Sequence, residues 1–150
     1  MIKRTFTAFG LALALTAPAF ALEIRNTEDC QAAQRAQDAT EELGFDRLAE
    51  EMATGSYDSY TEWKKQRLSP ALDAFAKRFP LTPADAMKLP NYANFVSDFG
   101  FRTEQMAYSF HQMQRHEEGS KAFEQYRSTA KIHLDAMKAT MAKFREDCII

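Results

Sequence analysis

The sequence predicts an all-α protein, an antiparallel up-down-up-down four-helix bundle, and two observations lead to that fold class. After residue 21, Val96 is the only valine and isoleucine occurs at four positions, whereas alanine, glutamate, lysine, methionine and leucine are plentiful. β-Branched residues favour strands, while the plentiful types favour helices. The second observation is that apolar residues recur three and four positions apart over long stretches, which is typical of amphipathic helices.

The first helix is predicted to begin at Asn26 or Thr27, because either side chain can cap a helix N-terminus. Its apolar positions form a stripe that starts with small residues and continues with larger ones: Cys30, Ala33, Ala36, Thr40, Leu43, Phe45, Leu48 and Met52. Glycine is a poor helix former. We therefore expect Gly44 to weaken the middle of this helix and Gly55 to end it.

The second helix is predicted from Ser56 to Phe79, with aromatic and aliphatic residues along one side. Pro70 interrupts this stretch, because proline lacks the N–H that an α-helix bonds to the carbonyl four residues back. Ser69 directly before it is a good cap for a new helix. We therefore expect the second helix to be kinked or restarted at Pro70.

A linker over residues 80–90 contains three prolines and one short helical turn, and it leads to the third helix. The third helix is predicted from Asn91 to Glu118, with Gly119 as its stop, and Ser120 caps the fourth helix at once. The fourth helix carries apolar residues seven positions apart: Phe123, Ala130, Met137 and Phe144. So short a break between two long helices predicts an antiparallel hairpin.

Residues 1–21 have the pattern of a cleavable secretory signal peptide. Lys3 and Arg4 give a positive start, an uncharged apolar stretch follows, and small residues precede a cleavage point after Ala21. The apolar stretch is shorter than the roughly 20 residues that cross a membrane, so no membrane anchor is predicted. The sequence therefore predicts a periplasmic or secreted protein whose mature chain, 22–150, forms one helical-bundle domain.

The charge of the mature chain argues against a nucleic-acid partner. The leader carries two of the 19 basic residues and none of the 21 acidic ones, which leaves 17 basic and 21 acidic residues and a net charge of −4. Nucleic-acid binding requires a basic surface that replaces counterions. The longest basic run, at 64–67, is interpreted as the solvated face of a helix.

Two cysteines, Cys30 and Cys148, remain in the mature chain. An even number of cysteines in an exported protein favours a disulfide over two free thiols. In the predicted bundle the first helix begins at the end where the fourth helix finishes, so the two cysteines lie at the same end. The disulfide and the bundle therefore support each other.

The sequence contains none of four common motifs for catalysis or for bound cofactors. The chain lacks C-x-x-C-H for covalent haem, paired Glu-x-x-His for di-iron, H-E-x-x-H for zinc and G-x-S-x-G for a serine nucleophile. We therefore predict neither an enzyme nor a cofactor. Two alternatives remain, a b-type haem held by His133 with Met52 or Met106, and copper held by Met106, Met113 and Met141. Methionine packing in the core is the simpler interpretation.

The most unusual motif is aromatic: Tyr57, Tyr60 and Trp63 lie three residues apart. Such a group either packs the end of the bundle or forms a recognition patch, because tyrosine and tryptophan are enriched at interfaces. The leading hypothesis is a non-catalytic exported binding protein. Its partner is predicted to be another envelope protein or a peptide, contacted through this candidate interaction patch.

Overall fold

The computed structural model describes residues 23–150, and the predicted signal peptide at 1–21 lies outside them. Within this part of the chain the protein is helical, and its only β-type pairing is an isolated antiparallel bridge between Ile24 and Ile149. None of the described helices combines the length and the apolar character needed to cross a membrane. The predicted all-α class is confirmed.

The first predicted helix is divided into two, α1 (Glu28–Glu42) and α2 (Phe45–Thr54). Thr27 caps α1 as predicted, because its side chain accepts a hydrogen bond from the N–H of Cys30 at 3.3 Å. Gly44 does more than weaken the helix. It adopts a left-handed conformation with φ of 76°, which separates α1 from α2 and which residues with a Cβ adopt only at a cost.

The second predicted helix comprises α3 (Tyr60–Trp63), a π-helical segment (Lys64–Leu68) and α4 (Ser69–Arg78). It begins later than the predicted Ser56, because Ser59 provides the N-terminal cap. The expected interruption at Pro70 takes the form of the π-helical segment, in which the N–H of Ser69 bonds to the carbonyl of Lys64, five residues back. The chain remains right-handed helical through this junction, so Ser69 does not restart a helix as a cap.

The remaining helices are α5 (Pro83–Lys88), α6 (Pro90–Arg115) and α7 (Lys121–Cys148). Thr82 opens α5 with a reciprocal capping box, and Ser120 caps α7 as the sequence predicted. The third predicted helix corresponds to α6, which ends three residues earlier than expected. The short connection between α6 and α7 makes them neighbours in space.

The directions of the long helices follow from contacts between them. Thr140 on α7 donates a hydrogen bond to Asp98 on α6, whereas Tyr126 on α7 contacts Tyr108 further along α6. Residue numbers therefore rise on α6 as they fall on α7, and the predicted antiparallel hairpin is confirmed. The π-helical segment and α4 run antiparallel to α6 as well, because Lys64 pairs with Glu104 while Phe75 lies against Phe95.

The centre of the core is built from four phenylalanine rings on three different helices, α2, α4 and α6. Phe45 meets Phe99 edge-on at a centroid distance of 4.7 Å, and Phe75 meets Phe99 at 4.8 Å. Phe95 completes the group, and all four rings are buried. An edge-to-face pair such as Phe45 with Phe99 stabilises a core by about 0.5–1.5 kcal/mol beyond the area that it buries.

One end of the molecule is closed by the disulfide. Cys30 at the start of α1 is bonded to Cys148 at the end of α7, with their Cα atoms 5.4 Å apart. The backbone beside the bond is paired too, since the N–H of Arg25 donates to the Cys148 carbonyl at 2.8 Å and that of Ile150 donates to the Glu23 carbonyl at 3.0 Å. The predicted disulfide is present, and both ends of the described chain meet there.

Asp29 fastens the start of α6 to the start of α1 at this same end. Its carboxylate accepts hydrogen bonds from the backbone N–H groups of Asn91 and Tyr92, at 3.1 and 2.9 Å. The Asn91 amide also donates to Asp29 and to Asp147 on α7. An aspartate at a helix N-terminus satisfies free N–H groups and favours the positive end of the helix dipole. The N-termini of α1 and α6 are therefore held together at the disulfide end of the molecule.

Candidate functional site

The three aromatic residues singled out in the sequence lie together at the end away from the disulfide, and His111 of α6 joins them. Tyr57 lies 5.2 Å from Trp63 and 6.1 Å from Tyr60 between ring centroids. The His111 ring stacks on Tyr60 at 4.3 Å, almost parallel to it. These four residues are called the aromatic cluster. It forms because Ser59 starts a single α-helical turn that brings Tyr60 and Trp63 onto one side.

Trp63 occupies a different environment from the two tyrosines. Only 6% of it is exposed, and its indole Nε1 donates to the Glu51 carboxylate of α2 at 2.7 Å. The same carboxylate accepts from Arg67 at 2.8 Å and pairs with Arg47 at 3.4 Å. Trp63 therefore joins α2 to α3 and the π-helical segment from inside the core. Of the three residues in the candidate interaction patch, Trp63 is therefore the one that packs in the core.

Tyr57 is fixed by polar groups of α6. Its hydroxyl donates to Oε1 of Gln114 at 3.1 Å and lies 3.5 Å from Nδ1 of His111. Gln114 in turn donates to the Met52 carbonyl at 3.1 Å, and it passes so close to Gly55 that a Cβ there would lie 2.6 Å from Oε1. Burial, with a smaller effect from Tyr60, raises the pKa of Tyr57 to about 12, so its hydroxyl stays protonated as a hydrogen-bond donor.

Tyr60, at the start of α3, is half-buried and lies near Glu104 and Tyr108 of α6. Its hydroxyl oxygen is enclosed and has no hydrogen-bond partner among residues 23–150. Burial raises the pKa of Tyr60, and the nearby Glu104 carboxylate and Tyr108 hydroxyl raise it further. Lys64 forms an ion pair with that carboxylate. Leaving such an enclosed hydroxyl without a partner costs about 1–3 kcal/mol.

A second group of aromatic rings crosses the line of contact between α6 and α7. Phe101 meets His133 edge-on at 5.6 Å, and Tyr108 meets Tyr126 edge-on at 6.1 Å. Phe101 and Tyr108 are 56% and 44% exposed, although both are large aromatic residues. These four residues are called the aromatic seam. Sequence reasoning missed it, because pairing Phe101 with His133 requires the register of α6 against α7.

The aromatic cluster and the aromatic seam adjoin one another. Tyr108 of the seam lies close enough to Tyr60 of the cluster to affect its ionisation. At the other side, His116 stacks on Tyr126 at 5.7 Å, nearly parallel. Cluster, seam and His116 together contain all three histidines and four of the five tyrosines of the chain. The fifth, Tyr92, lies at the disulfide end, where its hydroxyl donates to the Pro80 carbonyl.

Two of the three histidines are held towards the neutral form. Burial lowers the pKa of His111, and the neighbouring Arg115 lowers it further. Burial likewise lowers the pKa of His133, with Arg102 adding to the effect. Near neutral pH these rings are therefore uncharged and each offers one donor and one acceptor nitrogen. The surface is aromatic and hydrogen-bonding rather than cationic.

The methionines considered as copper ligands do not converge. Met106 and Met113 are seven residues apart on α6, about 10 Å along its axis. The hydrogen bond between Thr140 and Asp98 places Met141 near Asp98. Asp98 lies roughly 12 Å from Met106 along α6, on the opposite side from Met113. One copper ion needs its ligands in direct contact. In addition, the described residues contain no group of three or more His, Cys, Asp or Glu side chains arranged to hold a metal ion.

The haem pairing of His133 with Met52 meets a similar difficulty. His133 lies beside Phe101, whereas the backbone of Met52 lies beside Gln114, about 20 Å further along α6. Two axial ligands must approach one iron from opposite faces. Moreover, Nδ1 of His133 is 3.4 Å from the Arg102 guanidinium, whose charge disfavours a cation at this nitrogen.

The chain was also compared with protein-family models, with curated proteins and with solved structures, and none of the three comparisons found a match. Its function is therefore inferred from its own residues. Among these, the side-chain chemistry converges on the adjoining cluster and seam, with Tyr60 and Tyr108 at the junction between them.

Proposed function

We propose that the protein is an exported, non-catalytic binding protein that contacts another envelope protein or a peptide. The binding surface consists of Tyr57, Tyr60 and His111 of the cluster together with the aromatic seam and His116. The observation that carries this proposal is the gathering of four tyrosines and all three histidines on adjoining parts of one surface. Residues of this kind contribute much of the binding energy at protein interfaces.

The proposed scaffold is an up-down-up-down bundle of four rods, formed by α1–α2, α3–α4 with the π-helical segment between them, α6, and α7. The antiparallel contacts of α6 with α7 and with α4 support it, as does the bond from Asp29 that fixes the starts of α1 and α6 at one end. Rigid helices hold binding residues more accurately than loops. Export is proposed from the leader at 1–21, and the Cys30–Cys148 disulfide is compatible with it.

The chemistry of the surface favours binding over catalysis. The raised pKa of Tyr57 and of Tyr60 keeps their hydroxyls protonated, so neither acts as a base near neutral pH. His111 is stacked on Tyr60, and among residues 23–150 its ring has no hydrogen bond with a carboxylate of the kind that orients a general base. Half-exposed rings that are already held by neighbours lose little conformational entropy when a partner binds.

The π-helical segment provides further support, since π-helical turns are rare and are often found at functional sites. Lys64, the first residue of the segment, pairs with Glu104 beside Tyr60. Arg67 of the same segment pairs with Glu51, which also holds Trp63. The unusual turn therefore sets the position of α3 and of the aromatic cluster relative to α6.

The test is affinity capture from an envelope extract of the native host, followed by a measured Kd with the purified partner. Tyr108→Ala removes a ring that is 44% exposed, and Ile132→Ala is the matched control because Ile132 is a large apolar residue on α7 that is 62% exposed and carries no aromatic ring. We expect Tyr108→Ala to weaken binding about tenfold or more and Ile132→Ala to leave it unchanged. A partner that binds both variants equally, or failure to capture any partner, contradicts the proposal.

A further inference from the structure

A chain of four polar side chains crosses the contact between α6 and α7 twice. Thr140 of α7 donates to Asp98 of α6 at 2.5 Å, and Asp98 forms an ion pair with Nε of Arg102, one turn further along α6, at 3.0 Å. Arg102 then reaches back to α7, where its Nη1 lies 3.4 Å from Nδ1 of His133. The two helices are therefore joined at two points, and one of these contacts ends on a histidine.

The contact with Arg102 determines which nitrogen of His133 carries a proton. A guanidinium group only donates hydrogen bonds, so the ring nitrogen that faces it must accept. His133 is therefore neutral in this arrangement, with a lone pair on Nδ1 and its proton on Nε2. A proton added to Nδ1 would turn the acceptor into a second donor and would place two positive groups side by side.

We propose that Arg102 and His133 form an acid-sensitive link between α6 and α7, which opens when His133 gains a proton. Phe101 meets the His133 ring edge-on at 5.6 Å, so displacement of that ring also disturbs one aromatic pair of the seam. Histidine is the side chain whose charge changes most readily between pH 5 and pH 8. The opening takes place in the free protein, so it does not depend on the proposed partner.

The charged groups that the structure places around His133 do not offset an added positive charge. Asp98 is the acidic residue of α6 beside Arg102, and both of its carboxylate oxygens are already engaged within the chain of four side chains. On α7, Lys131 and Asp135 pair with each other, and residues two positions from His133 lie on other sides of the helix. The α7 residues about one turn away, at 129, 130, 136 and 137, are uncharged.

The surroundings of His133 also determine the direction of the response to pH. Burial, with Arg102 adding to the effect, lowers the pKa of His133 below its ordinary value of about 6.5. The stabilisation from the link is therefore complete above about pH 6.5 and is lost as the pH falls through the lowered pKa. The side chains of Asp98 and Arg102 are only 26% and 22% exposed, so salt screens these charges less than charges on an open surface.

The first test is an NMR titration of the histidine rings in the isotope-labelled protein. Arg102→Met removes the guanidinium and keeps a long unbranched side chain. Arg127→Met is the matched control, because Arg127 is an exposed residue of α7 that pairs with Glu124. We expect Arg102→Met to raise the pKa of His133 and Arg127→Met to leave it unchanged. An unaltered or lower His133 pKa in Arg102→Met, or a neutral His133 in the parent protein with its proton on Nδ1, would overturn the proposal.

The second test is amide hydrogen exchange of the free protein, in which His133→Asn keeps an acceptor near the position of Nδ1 but cannot be protonated. Acidification from about pH 7.5 to about pH 5 should speed exchange several-fold around residues 98–105 and 129–137 of the parent protein, after correction for the intrinsic effect of pH. His133→Asn should not show this increase, whereas His111→Gln should retain it. No increase in the parent protein, or an equal increase in His133→Asn, would contradict the acid-sensitive link.

Discussion

At the residue scale, burial decides what each aromatic side chain does. Trp63 and Tyr60 stand three residues apart, yet Trp63 is 6% exposed and bonded to Glu51, while Tyr60 is half-buried and stacked on His111. Their spacing indicates that they are neighbours and does not say which one faces the core. Trp63 is the one that faces the core, because its indole N–H donates to the carboxylate of Glu51, twelve residues earlier on α2.

Replacement of Trp63 tests its place in the core. Trp63→Ala removes a large buried side chain and the donor to Glu51, so the free energy of unfolding should fall by about 3–5 kcal/mol. Ile132→Ala, at an exposed position, should change it by less than about 0.5 kcal/mol. Denaturant unfolding followed by circular dichroism measures both. Equal stability of the two variants would mean that Trp63 lies on the surface after all.

His111 gives a prediction for the dependence of stability on pH. Burial and Arg115 lower the pKa of His111 below its ordinary value of about 6.5, so the unfolded chain binds this proton more readily than the folded one. The stabilisation is complete above about pH 6.5 and is lost as the pH falls through the lowered pKa. The groups that face the ring are Tyr57, Tyr60 and Arg115.

His111→Gln removes this titration and keeps a polar side chain of similar length. Denaturant unfolding of the variant and the parent protein at about pH 7.5 and about pH 5.5 compares their losses of stability. We expect the variant to lose less stability than the parent over this interval. An equal or larger loss in the variant would contradict the assigned environment of His111.

At the element scale, the sequence predicted the start of a helix correctly where a capping residue directly precedes a clear helical pattern. Thr27 caps α1 and is followed by acidic residues, which favour a helix N-terminus. Ser120 caps α7 and is followed by the apolar repeat that begins at Phe123. The predicted start at Ser56 and the possible restart at Ser69 are less accurate, because serine caps helices and also occurs within them, and the residue that caps α3 is Ser59. Only Ser59 caps a helix among these three, and Ser69 continues from the π-helical segment.

The π-helical segment itself was not predictable from propensity. It adds one residue to a turn ahead of Pro70, and its ends are held by Glu104 and Glu51 from other helices. Such long-range ion pairs are invisible in a local pattern. The sequence indicated an irregularity near Pro70, and tertiary contacts determined its form.

Two glycines provide a matched test of the helix boundaries. Gly44 has φ of 76°, so Gly44→Ala should destabilise the protein by about 1–2 kcal/mol. Gly100 lies inside α6 with an ordinary φ, and a Cβ there would meet nothing within 4 Å. Gly100→Ala should therefore raise stability by up to about 1 kcal/mol. Thermal unfolding of both variants measures the effects, and a shift of the same sign for both would contradict the break between α1 and α2.

At the scale of the whole molecule, the two ends have different roles. The disulfide end gathers Cys30, Cys148, Asp29 and Asn91, all of which hold helices together. Sequence reasoning found the disulfide because the helix count and an even cysteine number constrain each other. It did not find the aromatic seam, because that depends on the register between two helices whose facing residues, Phe101 and His133, are 32 positions apart in the chain.

The disulfide should contribute strongly to stability. It closes a loop with a sequence separation of 118 residues, for which the chain-entropy model gives about 4–5 kcal/mol. The double variant Cys30→Ala/Cys148→Ala should therefore have a lower Tm and unfold at lower denaturant concentration, with its helix content retained at low temperature. Calorimetry and far-UV circular dichroism measure these quantities. An unchanged Tm would contradict a stabilising role for this crosslink.

Partners are expected to bind at the surface formed by the cluster and the seam, away from the disulfide. Amide hydrogen exchange of the free and the partner-bound protein, followed by mass spectrometry, tests it most directly. We expect slower exchange on binding in α3, in α6 from Phe101 onwards and in the first half of α7, with α1 and the last turns of α7 unchanged. Slower exchange confined to the region around Cys30 and Cys148 would contradict it.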